Sequence, residues 1–166
     1  MAEVVSVNIS VEKGQPKHPV PEICLRLRHG IVGDAHAGDW HRQVSLLAWE
    51  SIEKAQAMGL DVAEGDFAEN VTTEGIDLLA LPLGTRVRVG GALLELSQIG
   101  KVCHTKCAIY HLAGDCIFPR EGVFFVALED GEVKPGDSVQ VVALGDGTCA
   151  HTPPEALEEL RAAHEE

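Results

Sequence analysis

The stretch GTRVRVGGALLELSQIG, residues 84–100, decides the fold class. Arg86 and Arg88 alternate with Val87 and Val89, the period of a half-buried strand. Gly90-Gly91 then supplies a tight turn, and ALLELSQ returns, so residues 85–98 read as a β-hairpin. Working outward, the apolar run from Gly122 to Leu128 predicts another strand, and the turn signals Asp130-Gly131 and Lys134-Pro135-Gly136-Asp137 precede a further strand over 138–144. Upstream, Val5, Val7, Ile9 and Val11 alternate with polar residues until Lys13-Gly14-Gln15-Pro16 breaks the pattern. Ile23, Leu25 and Leu27 alternate with Arg26 and Arg28, and a short extended segment is expected near Val71. The best helical pattern has Ser45 as N-cap, Gly59 as stop, and Leu46, Trp49, Ile52 and Ala55 as its apolar face. Residues 154–165 read as an amphipathic terminal helix. Many short strands with few helices predict a mostly β chain, a small barrel or sandwich. One domain over 1–145 with a C-terminal tail over 146–166 is the expected division.

Composition narrows the function. At 166 residues with 45% hydrophobic content, the chain has enough length for a folded core. Its formal charge of −13 argues against nucleic acid as a partner, because that binding needs clustered Lys and Arg. The few basic residues therefore stand out, among them Arg26, Arg28 and Arg42 in the first half and Lys101, Lys106 and Arg120 in the second. No leader pattern and no run of membrane-spanning length is present, so a cytoplasmic protein away from membranes is expected. Five cysteines without a secretory signal favour reduced thiols over a disulfide framework. Cys24 and Cys149 stand alone and are expected as buried small hydrophobes.

The chemistry concentrates in GKVCHTKCAIYHLAGDCIFPREG, where Cys103, Cys107 and Cys116 lie among His104, His111, Lys101, Lys106 and Arg120. The thiolate is the reactive form of cysteine, and adjacent positive charge increases its population. The segment reads as a thiol site facing an anion or a soft metal. Cys103 and Cys107 are spaced C-x3-C rather than the C-x2-C of zinc ribbons, and a second paired knuckle is missing, although His104 and Cys116 would complete four ligands. Two more segments carry polar groups among glycines. GDAHAGDWHRQ offers Asp34, His36 and Arg42 as acceptor, titratable ring and cationic fork. GDFAEN offers Glu69 and Asn70, which by themselves are a turn as readily as a site.

Taken in order, GDAHAGDWHRQVSLLAWESI, GDFAENVTTEGIDLLALPLGTRVRVGGALLELSQIG and the cysteine segment ending in GVF closely resemble the MOSC domain, named for the C-terminal part of molybdenum-cofactor sulfurases. The resemblance runs from about Val4 to Leu144 and is strongest to small stand-alone members. It implies a single domain with a β-barrel core and a few helices. It aligns the family's signature cysteine with Cys107, as a persulfide sulfur carrier or a molybdenum ligand, and places Asp34, His36, Arg42, Gln43, Glu69 and Asn70 around the same pocket. The implied cofactor is the molybdenum cofactor, a pterin dithiolene (molybdopterin) bearing a phosphate, with Arg42, Lys101 and Arg120 as its anion contacts. Glu69 and Asn70 are then readers of pterin nitrogens or braces of their loop. A soft thiolate suits a metal carrying sulfur ligands.

The implied partners are a molybdoenzyme client or a cofactor-biosynthesis protein, with a separate cysteine desulfurase as sulfur donor. No pyridoxal phosphate is expected, because the chain is too short for a desulfurase domain. The leading expectation is binding of the cofactor and its sulfuration, transfer or maturation through Cys107. One alternative is a molybdenum-dependent reductase of N-hydroxylated compounds. Another is a zinc or soft-metal module using Cys103, His104, Cys107 and Cys116. Whether the chain is an enzyme, and its oligomeric state, stay open at this point.

Overall fold

The computed structural model describes residues 2–13, 15–100 and 122–158. In chain order they form β1 (Glu3–Ile9), β2 (His18–Val20), β3 (Ile23–Arg26), β4 (Gly30–Ile31), β5 (Val44–Ala48), α1 (Trp49–Ala57) and β6 (Val71–Glu74). A 3-10 turn at Leu78–Ala80 leads into β7 (Arg86–Val89), β8 (Ala92–Ile99), β9 (Val123–Glu129), β10 (Gly131–Val133) and β11 (Val139–Ala143). Residues 154–158 are also helical. Eight strands share one sheet in the order β11-β7-β8-β9-β5-β6-β1-β2, and β10-β3-β4 form a smaller sheet. The expected hairpin is β7 and β8, with Val87 opposite Leu94 and Val89 opposite Ala92. β5 and β6 pair in parallel, which the crossover through α1 permits.

The chain is mostly β and forms a single domain, but among the described residues no sheet is closed into a barrel. The large sheet bends until β11 meets β1 only at their starts. One isolated bridge joins Glu3 to Ser138 there, and Val4 N–H donates to the Asp137 carbonyl at 2.8 Å. Among the described residues no helix is long and apolar enough to cross a membrane.

The main core lies against one face of the sheet and includes Val7, Val44, Leu46, Val87, Leu94, Leu96, Val123 and Phe125. A second cluster, Leu47, Ile52, Ala55, Val62, Phe67 and Phe124, fills the other face beneath α1. Each large side chain fully withdrawn from water contributes about 1.5–3 kcal/mol. This two-sided burial explains the first departure from expectation. The helix predicted from Ser45 begins only at Trp49, and Val44–Ala48 is a strand instead. Leu46 faces one core and Leu47 the other, so Val44–Leu47 are all buried and the strand shows no apolar/polar alternation. Such a run cannot be told from a buried helix by periodicity.

Two smaller departures follow from local geometry. Val4 and Val7 are the buried valines of β1, because a bulge between Val4 and Ser6 shifts the register, while Val11 lies beyond the end of the strand and is 84% exposed. Cys24 is exposed, since it alternates outward between buried Ile23 and Leu25, and Cys149 is half-buried.

Candidate functional site

β8 and β9 are joined by residues 100–122, and Gly100 N–H donates to the Gly122 carbonyl at 2.6 Å. These stems bracket the cysteine segment. Lys101, Cys103, His104, Cys107, Cys116 and Arg120 lie outside the described residues, so the site is built from what surrounds the stems. Beside them, Gln98 Nε2 donates to the Gly100 carbonyl at 2.9 Å. That bond orients the amide and turns Oε1 toward His41 Nε2 at 2.8 Å. His41 must then donate from Nε2. Burial lowers the His41 pKa and the neighbouring Arg42 charge lowers it further, against the Gln98 bond, so the neutral ring with an acceptor at Nδ1 is favoured. The Arg42 guanidinium sits 4.5 Å from the centroid of Trp40 and 5.7 Å from that of Phe124. Lys13 Nζ lies 4.9 Å from the Trp40 centroid. Two cations and two imidazoles, those of His36 and His41, therefore gather around one indole in an otherwise acidic chain.

A cleft of about 670 Å³ opens here, lined in part by Arg28, Asp39, Trp40, His41, Gln43 and His151. Gln43 is 3% exposed, and its Oε1 accepts the Ala127 N–H at 3.0 Å across the sheet. Its Nε2 amide has no hydrogen-bond partner among the described residues. The cleft thus offers an oriented donor from Gln43 and an acceptor from His41, two positions apart in the loop that leads into β5. Arg28 adopts φ +60°, a backbone conformation rare outside glycine.

Behind Trp40 lies a buried ionic knot. Lys17 Nζ reaches Asp34 Oδ1 at 2.7 Å, His36 Nδ1 at 3.0 Å and Ser10 Oγ at 3.3 Å. Asp34 Oδ1 also accepts the Ser10 N–H, and Oδ2 accepts the His36 N–H at 3.0 Å. Burial works to raise the Asp34 pKa; the Lys17 ammonium, with the two amides, outweighs it and holds the carboxyl below its ordinary value. Trp40 Nε1 donates to the His36 carbonyl at 2.8 Å, which ties the knot to the indole.

The GDFAEN segment forms a second interior cluster. Asn70 Oδ1 accepts both the Ser45 N–H at 3.0 Å and the Ser45 hydroxyl at 3.1 Å, while its Nδ2 donates to the Asn8 carbonyl. These bonds clamp β1, β5 and β6 together. Glu69 is fully buried, and Thr72 Oγ1 donates to its Oε2 at 2.8 Å. Glu69 Oε1 and Asn8 Oδ1 are buried without hydrogen-bond partners among the described residues. Desolvation pushes the Glu69 carboxyl up to about 7, against nearby amides and Thr72. Both orphan atoms are acceptors around Thr72, and a proton on Glu69 is the donor this cluster lacks. Gly65 joins the two clusters. Its carbonyl accepts Lys17 N–H at 2.7 Å, and a Cβ there would meet the Lys17 carbonyl oxygen at 2.3 Å.

The sequence-predicted residues therefore divide. Arg42 and His36 are partly exposed around Trp40 and Gln43 lines the cleft, whereas Asp34, Glu69 and Asn70 are interior braces. Lys17, Trp40 and Gln98 were not singled out from sequence. Lys17 directly follows the strand terminator Lys13–Pro16 and carries no motif of its own, and its partners are 7, 17 and 19 residues away. Gln98 reads as an ordinary strand residue. Among the described residues no group of three or more His, Cys, Asp or Glu side chains is arranged to hold a metal.

With this geometry in place, comparison with known proteins gives a consistent answer. The MOSC domain profile matches residues 33–140, about two thirds of the chain. The fold is similar to that of the YuaD protein from Bacillus subtilis, at 19% identity and a TM-score of 0.71, over 87% of this chain and 98% of that one. It is also similar to YiiM from Geobacillus stearothermophilus, at 21% identity and 0.69, over 99% and 85%. For YiiM from Escherichia coli the values are 21% and 0.62, over 89% and 73%. At such identities the likeness establishes the fold. No curated protein sequence matches the chain.

Proposed function

The chain belongs to the MOSC domain family, and from that premise we propose that it binds the molybdenum cofactor and serves its sulfuration, transfer or maturation, with Cys107 as sulfur carrier or metal ligand. One observation carries the reading: Gln43, Trp40 and the neutral His41 ring line one cleft, Arg42 sits on the same indole, and His41 is bonded through Gln98 to Gly100, a stem of the segment that holds Cys107.

The residues fit the group. A pterin edge presents ring acceptors beside N–H donors, which the unpartnered Gln43 Nε2 and the His41 Nδ1 complement. Arg42 and Lys13 supply positive charge for a phosphate, Arg42 with bidentate geometry. When bound, the cofactor supplies a molybdenum centre with soft sulfur ligands. The chain's own residues would bind and orient it. Gln43 is held by Ala127, His41 is held by Gln98, and Trp40 keeps Arg42 in place by cation–π contact. Glu69 and Asn70 act at a distance, by holding the strands that carry these groups. A molybdoenzyme or a cofactor-biosynthesis protein is the partner this role requires, with a separate cysteine desulfurase as sulfur source.

Anaerobic purification from molybdate-sufficient cells, followed by molybdenum and pterin determination, tests the proposal. Stoichiometric molybdenum and pterin are expected, lost in Arg42→Ala and Gln43→Leu without loss of fold. Cys107→Ala is expected to lose persulfide or metal while remaining folded. A folded protein that carries neither pterin nor a persulfide on Cys107, or zinc in their place, defeats the proposal.

A further inference from the structure

The buried Lys17 has no role in the reading above, yet it touches the one imidazole of the GDAHAG loop. We propose that Lys17 is a positioning residue. With Asp34 it holds His36 as the neutral imidazole with its proton on Nε2, so that His36 acts as a hydrogen-bond donor to an oxyanion bound beside Trp40.

The geometry leaves little choice of tautomer. An ammonium has three N–H donors and no lone pair. Lys17 Nζ points those donors at Asp34 Oδ1, His36 Nδ1 and Ser10 Oγ, at 2.7, 3.0 and 3.3 Å. The Lys17 and Asp34 side chains are both fully buried, and their ion pair keeps the ammonium charged. His36 Nδ1 must therefore accept. A proton there would stand against an ammonium 3.0 Å away, and Asp34 Oδ2, at 3.8 Å from Nδ1, is too distant to accept it. That oxygen is instead engaged with the His36 backbone N–H. The ring is fixed as well. Its residue is anchored through its N–H to Asp34 and through its carbonyl to Trp40 Nε1, and the imidazole lies within 4° of parallel to the indole.

The charges facing His36 favour an anion as its ligand. Lys17 lies beneath it, and Lys13 and Arg42 sit on the Trp40 ring. Asp34 is the paired carboxylate, and His41 lies edge-on beyond the indole. A neutral ring that donates without being protonated adds an oriented hydrogen bond to that setting. Only the identification of the oxyanion with the cofactor rests on the proposed function; the tautomer does not.

Long-range proton–nitrogen correlation spectra of the full chain labelled at histidine, with His36→Asn for assignment, read the tautomer directly. In the wild type, His36 is expected to show an unprotonated Nδ1 and a protonated Nε2, unchanged between about pH 8 and about pH 5.5, across the ordinary histidine pKa of about 6.5. Lys17→Met is expected to release it, giving mixed tautomers and titration within that window. A wild-type His36 that carries its proton on Nδ1, or titrates there, overturns the assignment, and this holds even where Lys17→Met does not fold. Molybdate and inorganic phosphate are the ligand probes. A shift of the His36 Nε2 proton on adding either supports the donor role, and its absence at saturation with both overturns it. A wild-type chain that retains no cofactor yet shows the tautomer and the shift supports the Lys17 assignment while removing the cofactor reading.

Discussion

Asp34 and Glu69 are both buried carboxyl groups, and the chain treats them in opposite ways. Asp34 has an ammonium at 2.7 Å and its pKa is held down; Glu69 has no cation beside it among the described residues and is pushed up to about 7. Desolvation is the largest single influence in both and acts in the same direction. The outcome is set by the partner. Near neutral pH the Asp34 cluster is ionic, whereas the Glu69 cluster holds two buried acceptors without partners among the described residues. Gly65 links them, so the two clusters share one turn.

Removing the cation is the strongest way to break this contrast. Lys17→Met leaves a carboxylate buried without its partner, and a loss of about 3–5 kcal/mol is expected by urea denaturation at neutral pH. It should also make Asp34 behave like Glu69, with stability recovering as the pH falls. Asn70→Ala tests the neutral cluster in turn. It leaves the Ser45 N–H and the Asn8 carbonyl without side-chain partners in the interior, and about 2–4 kcal/mol should be lost.

Glu69 gives a pH signature of its own. A carboxyl near 4.5 when unfolded and about 7 when folded binds more protons in the folded state between those values. Its contribution therefore favours the fold at the acid end, falls as pH rises through that window, and is flat above about 7. Glu69→Gln should remove this slope and raise stability above pH 7 by about 1–3 kcal/mol. Urea midpoints of both proteins at about pH 5 and pH 8 check it; an unchanged slope would mean that Glu69 is ionised in the fold. The smallest effect belongs to a solvated pair. Arg88 and Glu129 lie 3.1 Å apart but are 40% and 52% exposed, so Arg88→Ala should cost less than about 1 kcal/mol and grow weaker with salt. A larger loss would show that exposure is a poor guide to these pairs.

Much of the strand pattern was legible because it is local. The β7–β8 hairpin follows from alternation and two glycines, and β3, β6, β9 and β11 fall where short apolar runs meet turn residues. Val44–Ala48 was read as helix because both of its faces are covered, which periodicity does not encode. β1 was read out of phase because a bulge adds a residue that a strict two-residue period cannot contain. The site was legible in a different way. Arg42, His36 and Gln43 lie in a motif dense in polar groups among glycines, which marks a place where backbone and side chains converge. Lys17 and Gln98 carry no such mark, since their chemistry exists only through partners distant in sequence.

The sequence by itself determined that the chain is a small, acidic, mostly β domain of the MOSC family, and that three of its five cysteines cluster in one segment between two strands. Those features are written in composition, spacing and ordered motifs. The tertiary structure alone decided which buried carboxyl is charged, which histidine nitrogen donates, and which predicted site residues brace the fold rather than line the cleft. Each of those depends on what lies within about 4 Å in space, and for Asp34 and Asn70 the deciding neighbours, Lys17 and Ser45, stand 17 and 25 residues away along the chain.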